Sequence, residues 1–109
     1  MTYNESLDNR IKKIITNWHS TDSKKMFGGV CYLLSGNMFC GVYKDSLILR
    51  LGEEKAGEAL KFTFIKPFDI TGRPMKGWVM VEQEGCATDA ELKNWLTLAK
   101  EFVSKLPPK

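Results

Sequence analysis

Three short apolar runs separated by turn-forming dipeptides constrain the fold of this chain more than any other feature. The runs cover residues 26–35, 38–44 and 47–51, with Gly36-Asn37 and Asp45-Ser46 between them. Dipeptides of this kind form the two-residue turns of β-hairpins. The pattern therefore predicts three consecutive antiparallel strands.

Two-residue turns also predict which side chains share a face of the sheet. Leu34 would then face Phe39, and Tyr43 would face Ile48. Side chains alternate across a strand, so the strands present one aliphatic and one more aromatic face. The aliphatic face, the predicted core side, contains Cys31, Leu33, Met38, Cys40, Val42, Leu47, Leu49 and Leu51. The aromatic face contains Val30, Tyr32, Leu34, Phe39, Tyr43, Ile48 and Arg50, and Trp78 and Met80 continue it on a later strand.

Periodicity elsewhere predicts helices and further strands around these hairpins. Helices are expected over residues 7–18, 52–61 and 88–106, strands over 61–68 and 78–82, and a polar linker over 19–23. Thr88 and Glu91 fit a capping box at the start of the last helix. The order α-βββ-α-ββ-α predicts a single α+β domain over residues 1–109. Its expected architecture is a two-layer sandwich on a mostly antiparallel five-stranded sheet.

Composition excludes several classes of protein. Hydrophobic residues make up 43% of the 109 and charged residues 27%, which is typical of a globular domain. The net charge of +3 is too small to indicate nucleic-acid binding by itself. No run is long enough to span a membrane, and no secretory signal is recognisable. Three cysteines, an odd number, favour reduced thiols and a cytoplasmic location.

Two motifs resemble the N-terminal domain of the TfoX/Sxy competence regulators. The first is Lys24-Lys25-Met26-Phe27-Gly28-Gly29, which resembles the basic-basic-Met-Phe-Gly-Gly opening of that domain. The second is Arg73-Pro74-Met75-Lys76-Gly77-Trp78-Val79, which resembles its late motif. The resemblance covers nearly the whole chain and implies a secretion-chaperone-like fold and a link to competence regulation. It implies no catalytic residues, and the second, C-terminal domain of the longer regulators is expected to be missing.

Histidine and cysteine, which are often catalytic or metal-binding residues, are expected to have neither role here. His19, the only histidine, is expected to be a solvated residue at a helix end. Cys31 and Cys40 are predicted to be diagonal neighbours on one face, too far apart for a disulfide, and Cys86 the most exposed thiol. Without a Cys/His cluster or a supported base, we expect no metal, no cofactor and no enzymatic activity. At Gly28-Gly29 two interpretations stay open, a β-bulge or close approach by a ligand.

The residues predict two candidate surfaces of different kinds. If all helices cover one face of the sheet, the aromatic face is left as an interface for another protein, with a second copy of the chain among the possible partners. If a helix covers that face, the same residues form a second core. The interface candidates are Tyr32, Phe39, Tyr43, Arg50, Trp78 and Met80. The alternative function is nucleic-acid binding by the basic region of residues 61–76, with Lys24, Lys25, Lys66, Arg73 and Lys76 as phosphate contacts.

Overall fold

Three helices and six strands follow one another in the order α-ββββ-α-ββ-α. The computed structural model describes residues 4–26, 29–68 and 76–107. The helices are α1 (Glu5–Ile15), α2 (Glu53–Ala59) and α3 (Asp89–Val103), with a 3-10 turn at Gln83–Cys86. The strands are β1 (Thr21–Met26), β2 (Gly29–Leu34), β3 (Asn37–Tyr43), β4 (Ser46–Arg50), β5 (Ile65–Pro67) and β6 (Trp78–Val81). The predicted α+β class is confirmed, and the sheet has six strands rather than five.

The additional strand is β1, which lies where the sequence predicted a polar linker. β1 is an edge strand that pairs only with β2, with Lys24 opposite Cys31 and Lys25 opposite Val30. Residues 22–25 are exposed, so the strand does not need an apolar residue at every second position. The strand is defined by backbone hydrogen bonds to β2, and these do not require alternating apolar and polar residues in the sequence.

All six strands are antiparallel, in the order β1-β2-β3-β4-β6-β5. Both predicted hairpins form, but each turn begins one residue earlier than expected. Leu34 pairs with Asn37 across Ser35 and Gly36, whose φ angles are 51° and 86°. Positive φ at both central residues is the geometry of a type I′ turn. The second turn likewise leaves Tyr43 paired with Ser46. A turn shifted by one residue moves the cross-strand pairing by two, so it does not exchange the faces of the sheet.

A β-bulge in β3 does exchange them. Leu33 pairs with Met38 but Tyr32 pairs with Cys40, so Phe39 is an extra residue opposite no single partner. Phe39 and Cys40 are both fully buried among the core side chains. The predicted sides are therefore wrong for β2 and the start of β3. Val30, Tyr32, Leu34 and Phe39 lie in the core, whereas Cys31, Leu33 and Met38 lie on the other face.

The core lies between the three helices and one face of the sheet. α1 contributes Leu7, Ile11 and Ile15, and α2 contributes Ala56 and Ala59. The strand side chains among which they are buried include Cys40, Val42, Leu47, Leu49, Val79 and Val81, as their spacing predicted. α3 supplies Leu92, Leu96, Ala99 and Val103. The predicted capping box is confirmed, since Glu91 N–H donates to Thr88 Oγ1 and Thr88 N–H donates to Glu91 Oε1.

Two polar side chains of α1, Asp8 and Arg10, form hydrogen bonds to the rest of the domain. The buried Tyr32 hydroxyl donates a hydrogen bond to the buried Asp8 carboxylate on α1. Arg10 donates to the Cys86 carbonyl oxygen at 2.9 Å and to Asp89 Oδ1 at 3.0 Å. A buried carboxylate needs a donor, and Tyr32 meets that need, so its position in the core has a specific cause.

Candidate protein-interaction face

All three helices pack on one face of the sheet, and no helix of the described residues covers the other face. We call the second surface the open face. Its members follow from strand pairing and side-chain alternation. They are Cys31, Leu33, Met38, Gly41, Tyr43, Ile48, Arg50, Trp78 and Met80, with Lys24 and Lys66 at the two edges.

A single row of paired residues crosses the middle of the open face. It runs Lys24, Cys31, Gly41, Ile48, Met80, Lys66, each residue opposite the next on the neighbouring strand. Cys31 and Ile48 are buried by their neighbours, and Met80 is half-buried. The Met38 methyl group lies 3.1 Å from the position of a Cβ added at Gly41, so it covers that glycine. The centre of the open face is therefore apolar, with a lysine at each end.

Strand pairing places Arg50 on the open face, but its guanidinium lies near one ring of that face and one ring of α3. Its guanidinium carbon is 5.5 Å from the centroid of the Trp78 ring and 5.8 Å from that of Phe102. Phe68 also packs against Trp78, with 5.9 Å between the ring centroids. Cation–π contacts hold the guanidinium in place and leave its N–H groups available for an anionic acceptor. Within the described residues, Arg50 forms no ion pair.

The opposite end of the open face carries mixed charges. The Lys44 ammonium lies 5.5 Å from the Tyr43 ring centroid. Lys66 forms an exposed ion pair with Glu82 at 3.8 Å, and an exposed pair of this kind contributes little stability. The Arg50 end is thus cationic, whereas the Tyr43 end has carboxylates beside its lysines.

The structure sorts the six predicted interface residues into two groups. Tyr43, Arg50, Trp78 and Met80 lie half-buried on the open face. Tyr32 and Phe39 are buried on the helix side, so the prediction that they belong to the same surface is wrong. Tyr32 reaches Asp8, and Phe39 packs 5.8 Å from the Trp18 ring. The sequence signal that could have indicated the burial of Tyr32 is Asp8, a carboxylate among the apolar positions of α1.

The predicted phosphate contacts do not form one patch. Lys24 and Lys25 lie on β1 and Lys66 on β5, at opposite edges of the sheet. Five strand spacings of about 4.8 Å separate the edges by roughly 24 Å. Lys76 is exposed just before β6, and Arg73 lies outside the described residues. The lysines thus border the sheet on both sides.

The sheet separates Cys31 from the other two cysteines. Cys31 lies on the open face, whereas Cys40 and Cys86 are in the core, so the predicted same-face arrangement of Cys31 and Cys40 and the predicted exposure of Cys86 are both wrong. Burial raises the pKa of the Cys31 thiol. Burial also raises the pKa of Cys40 well above its ordinary range, with smaller contributions from Cys31 and Asp8. At neutral pH these thiols are protonated and weakly nucleophilic.

Close backbone packing explains Gly29. A Cβ at this position would lie 2.1 Å from the Val42 carbonyl oxygen, so the neighbouring strand occupies the space. Gly28 lies outside the described residues, and the bulge is at Phe39 instead. The close approach at Gly29 is made by β3, not by a ligand.

An exposed aromatic cluster on the helix side was not predicted. Phe62 and Phe64 stack at 5.3 Å, and both contact Trp95 at 6.5 Å between ring centroids. Phe62 is 53% exposed and Leu60 41%. The strand predicted over residues 61–68 is confined to β5, and the chain makes turns at positions 61–64.

The protein is a two-layer α+β domain. Three helices pack on one face of an antiparallel sheet, and the other face is the open face. The family model of the TfoX N-terminal domain matches residues 13–103. The chain belongs to this family, as its two motifs indicated. No curated protein and no solved structure matches it significantly.

Two features are absent from the described residues. No helix there is long and apolar enough to cross a membrane. No group of three or more histidine, cysteine or carboxylate side chains in the same part of the chain is arranged to hold a metal ion.

Proposed function

We propose that this TfoX N-terminal domain is a non-enzymatic regulatory module of the cytoplasm that binds another protein chain through the open face. The family resemblance adds a role in competence regulation to the proposal. The observation that carries it is the half-exposed apolar side chains of Tyr43, Trp78 and Met80 on the open face. A sheet face exposed to water is normally polar, with apolar residues kept for the face that packs on the helices.

The composition of the open face agrees with a protein partner. Tyrosine, tryptophan, methionine and arginine are enriched at the centre of protein interfaces, whereas lysine and carboxylates are depleted there. Tyr43, Trp78, Met80 and Arg50 are four residues of the enriched types, and Lys24 and Lys66 lie at the rim. Aromatic and arginine side chains are also the usual hot spots of binding energy.

A capture experiment with matched variants tests this function. The immobilised chain captures proteins from the native cell, and each captured protein is identified, purified and titrated against the chain. Tyr43→Ala combined with Trp78→Ala should weaken binding at least about tenfold, because two half-buried aromatic anchors are removed. Phe62→Ala, an equally aromatic change on the helix side, should leave binding unchanged.

Two results would contradict the proposal. One is undiminished binding by the Tyr43/Trp78 variant with its circular dichroism spectrum unchanged. The other is tight binding of random duplex DNA with a steep dependence on salt, which is the behaviour expected from many phosphate contacts. That second result would favour the nucleic-acid alternative for the lysines at the edges of the sheet.

A further inference from the structure

We propose that two copies of this chain pair along strand β1, so that their six-stranded sheets join edge to edge into one continuous antiparallel sheet. The two-fold axis stands perpendicular to the sheet at Ser23. Addition of a strand to an exposed sheet edge is a recurring mode of recognition, in which backbone hydrogen bonds supply the affinity. The inference goes beyond the proposed function, because it uses an edge of the sheet and leaves the open face uncovered.

The two edges of the sheet differ in their capacity to accept another strand. β5 has only three residues and ends at Pro67, which has no N–H to donate. β1 has six residues, of which 22–25 are exposed. A long, exposed edge is a template for pairing unless its side chains prevent it. The side chains of β1 therefore decide whether a second copy can bind there.

Backbone hydrogen bonds show which groups of β1 point away from β2. The Ser35 N–H donates to the Ser20 carbonyl oxygen at 2.8 Å, so position 20 bonds inward. Inward and outward positions alternate along an antiparallel pair. The register of β1 with β2 is unbroken from Thr21 to Met26. Positions 21, 23 and 25 therefore direct their N–H and C=O groups outward.

A second hydrogen bond agrees with this assignment at Ser23. Its N–H donates to Asp22 Oδ1 at 2.8 Å, a contact that an amide bonded to β2 would not be available to make. A single copy thus satisfies this outward amide with a neighbouring side chain. In the dimer the carbonyl oxygen of the partner's Ser23 accepts this N–H, and the Asp22 carboxylate is released for another contact.

An axis at Ser23 pairs all of the outward groups. Ser23 bonds to the partner's Ser23, and Thr21 bonds to the partner's Lys25 on each side of the axis. These are hydrogen-bonded positions, so the two edges form about six backbone hydrogen bonds. A perpendicular two-fold axis does not turn the sheet over, so both open faces lie on the same side of the dimer.

Charge complementarity favours this register. Asp22 and Lys24 lie on the open-face side of β1, where they pair with Leu33 and Cys31. With the axis at Ser23, Asp22 lies opposite the partner's Lys24, and Lys24 lies opposite the partner's Asp22. Opposite charges at directly facing positions stabilise a pair of strands. The lysine that would protect an unpaired edge thus meets a carboxylate supplied by the same strand of the partner.

The neighbouring registers lack this complementarity. An axis at Lys24 would place this lysine opposite its own copy, and an axis at Asp22 would do the same with the carboxylate. Like charges directly opposite one another destabilise a strand pair. An axis between two residues would place side chains from different faces opposite one another, which a continuous sheet does not allow. Axes nearer the ends of β1 pair fewer residues.

Helix α1 leaves the edge accessible. The hydrogen bond from Tyr32 to Asp8 holds α1 above β2, the second strand from the edge. A cleft of about 450 Å³ lies between α1 and β1, lined by Lys12 of the helix and by Ser23 and Lys25 of the strand, among others. The contact between copies is small, and small interfaces are typical of transient complexes. We expect a dissociation constant on the order of 100 µM.

A charge-exchange experiment tests the register. Sedimentation velocity from about 10 µM to about 1 mM, which brackets the expected dissociation constant, should show the wild-type chain dimerising. Asp22→Lys and Lys24→Asp should each raise that constant about tenfold, since each places like charges opposite one another on both sides of the axis. An equimolar mixture of the two variants should dimerise like the wild type, because both facing pairs are complementary again. Lys93→Asp, the same charge change on the exposed side of α3, should have no effect.

A backbone variant tests the position of the axis. Ser23→Pro removes an N–H that makes no bond to β2, so the circular dichroism spectrum should be unchanged. Dimerisation should be lost, because the bonds at the axis cannot form. Ser23→Ala, which keeps the N–H, should dimerise like the wild type.

A measurement on the wild-type chain needs no folded variant. Amide hydrogen exchange, followed by NMR at low and high protein concentration, should become slower at Thr21, Ser23 and Lys25 when the dimer forms, because the partner's carbonyl oxygens protect these amides. The amides of Asp22 and Lys24 bond to β2 in both states, so their exchange should change little.

The outcomes separate this inference from the proposed function. A chain that stays monomeric up to about 1 mM overturns the dimer. A dimer that is indifferent to the charge changes and shows no added protection at Ser23 and Lys25 uses another surface and also overturns it. Restored association in the mixture together with protection at these amides supports the axis. Tyr43→Ala/Trp78→Ala should dimerise like the wild type, since the open face takes no part, whereas loss of dimerisation in that variant would contradict the edge contact.

Discussion

The bulge at Phe39 makes a prediction that reverses the ordinary alternation of a strand. Phe39 is fully buried between β3 and the helices, whereas its neighbour Met38 is half-buried on the open face. Phe39→Ala should therefore destabilise the domain much more than Met38→Ala. Uninterrupted alternation from the hairpin turn would give the opposite order.

The magnitude follows from the buried area. A buried phenylalanine removes about 150–250 Å² from water, which at about 25 cal/mol per Å² corresponds to about 4–6 kcal/mol. Alanine keeps part of this area, so the expected loss in the free energy of unfolding is about 3–5 kcal/mol. Met38→Ala should cost about 1 kcal/mol, because part of its surface is already in water and the side chain lies outside the core cluster.

Urea unfolding monitored by circular dichroism measures both losses. A domain of this size has a stability of about 5–15 kcal/mol, so Phe39→Ala leaves a small margin. If that variant is unfolded, Phe39→Leu provides a milder comparison. A cost for Met38→Ala equal to or greater than that for Phe39→Ala would refute the assignment of the bulge.

Two further predictions concern backbone packing and the thiols. Gly29→Ala should destabilise the domain by about 1–3 kcal/mol, because its Cβ would collide with the Val42 carbonyl oxygen. The matched change Gly57→Ala on α2, where nothing lies within 4 Å, should stabilise it by about 0.5–1 kcal/mol, and thermal unfolding that ranks the two the other way would contradict this reasoning. Burial raises the pKa of the Cys40 thiol above its ordinary 9.0, so the folded state holds the proton more tightly than the unfolded state. Stability from this source is complete below the unfolded pKa and should fall as the pH rises above about 9. Urea titrations at several pH values should show a shallower fall in Cys40→Ala, and an equal fall in both would count against burial as the cause.

Local patterns were sufficient for much of the fold. Helical spacing predicted α1 and α3, and the cap at Thr88 was predicted from two residues. The aliphatic alternation along β4 and β6 predicted their core side correctly at Leu47, Leu49, Val79 and Val81. Each of these elements is buried on one side only, so the spacing of its apolar residues shows which side faces the core.

The candidate site was only partly predictable. Tyr43, Arg50, Trp78 and Met80 were placed correctly on one face because the register is continuous from the second turn through β4 to β6. Whether that face was open or a second core depended on where α3 packs. The sequence left both alternatives open, and only the packing of all three helices on the opposite side decided between them.

The amino-acid sequence by itself determined which segments form helices and hairpins, since propensity, caps and turn residues act over a few neighbouring positions. Tertiary structure alone decided the side of β2, the existence of β1 as a strand and the exposure of the open face. One extra residue in β3 reverses the phase of pairing with β2, and its effect is defined only by the partner strand. An edge strand held by backbone hydrogen bonds leaves no apolar pattern to read, because those bonds form whatever its exposed side chains are.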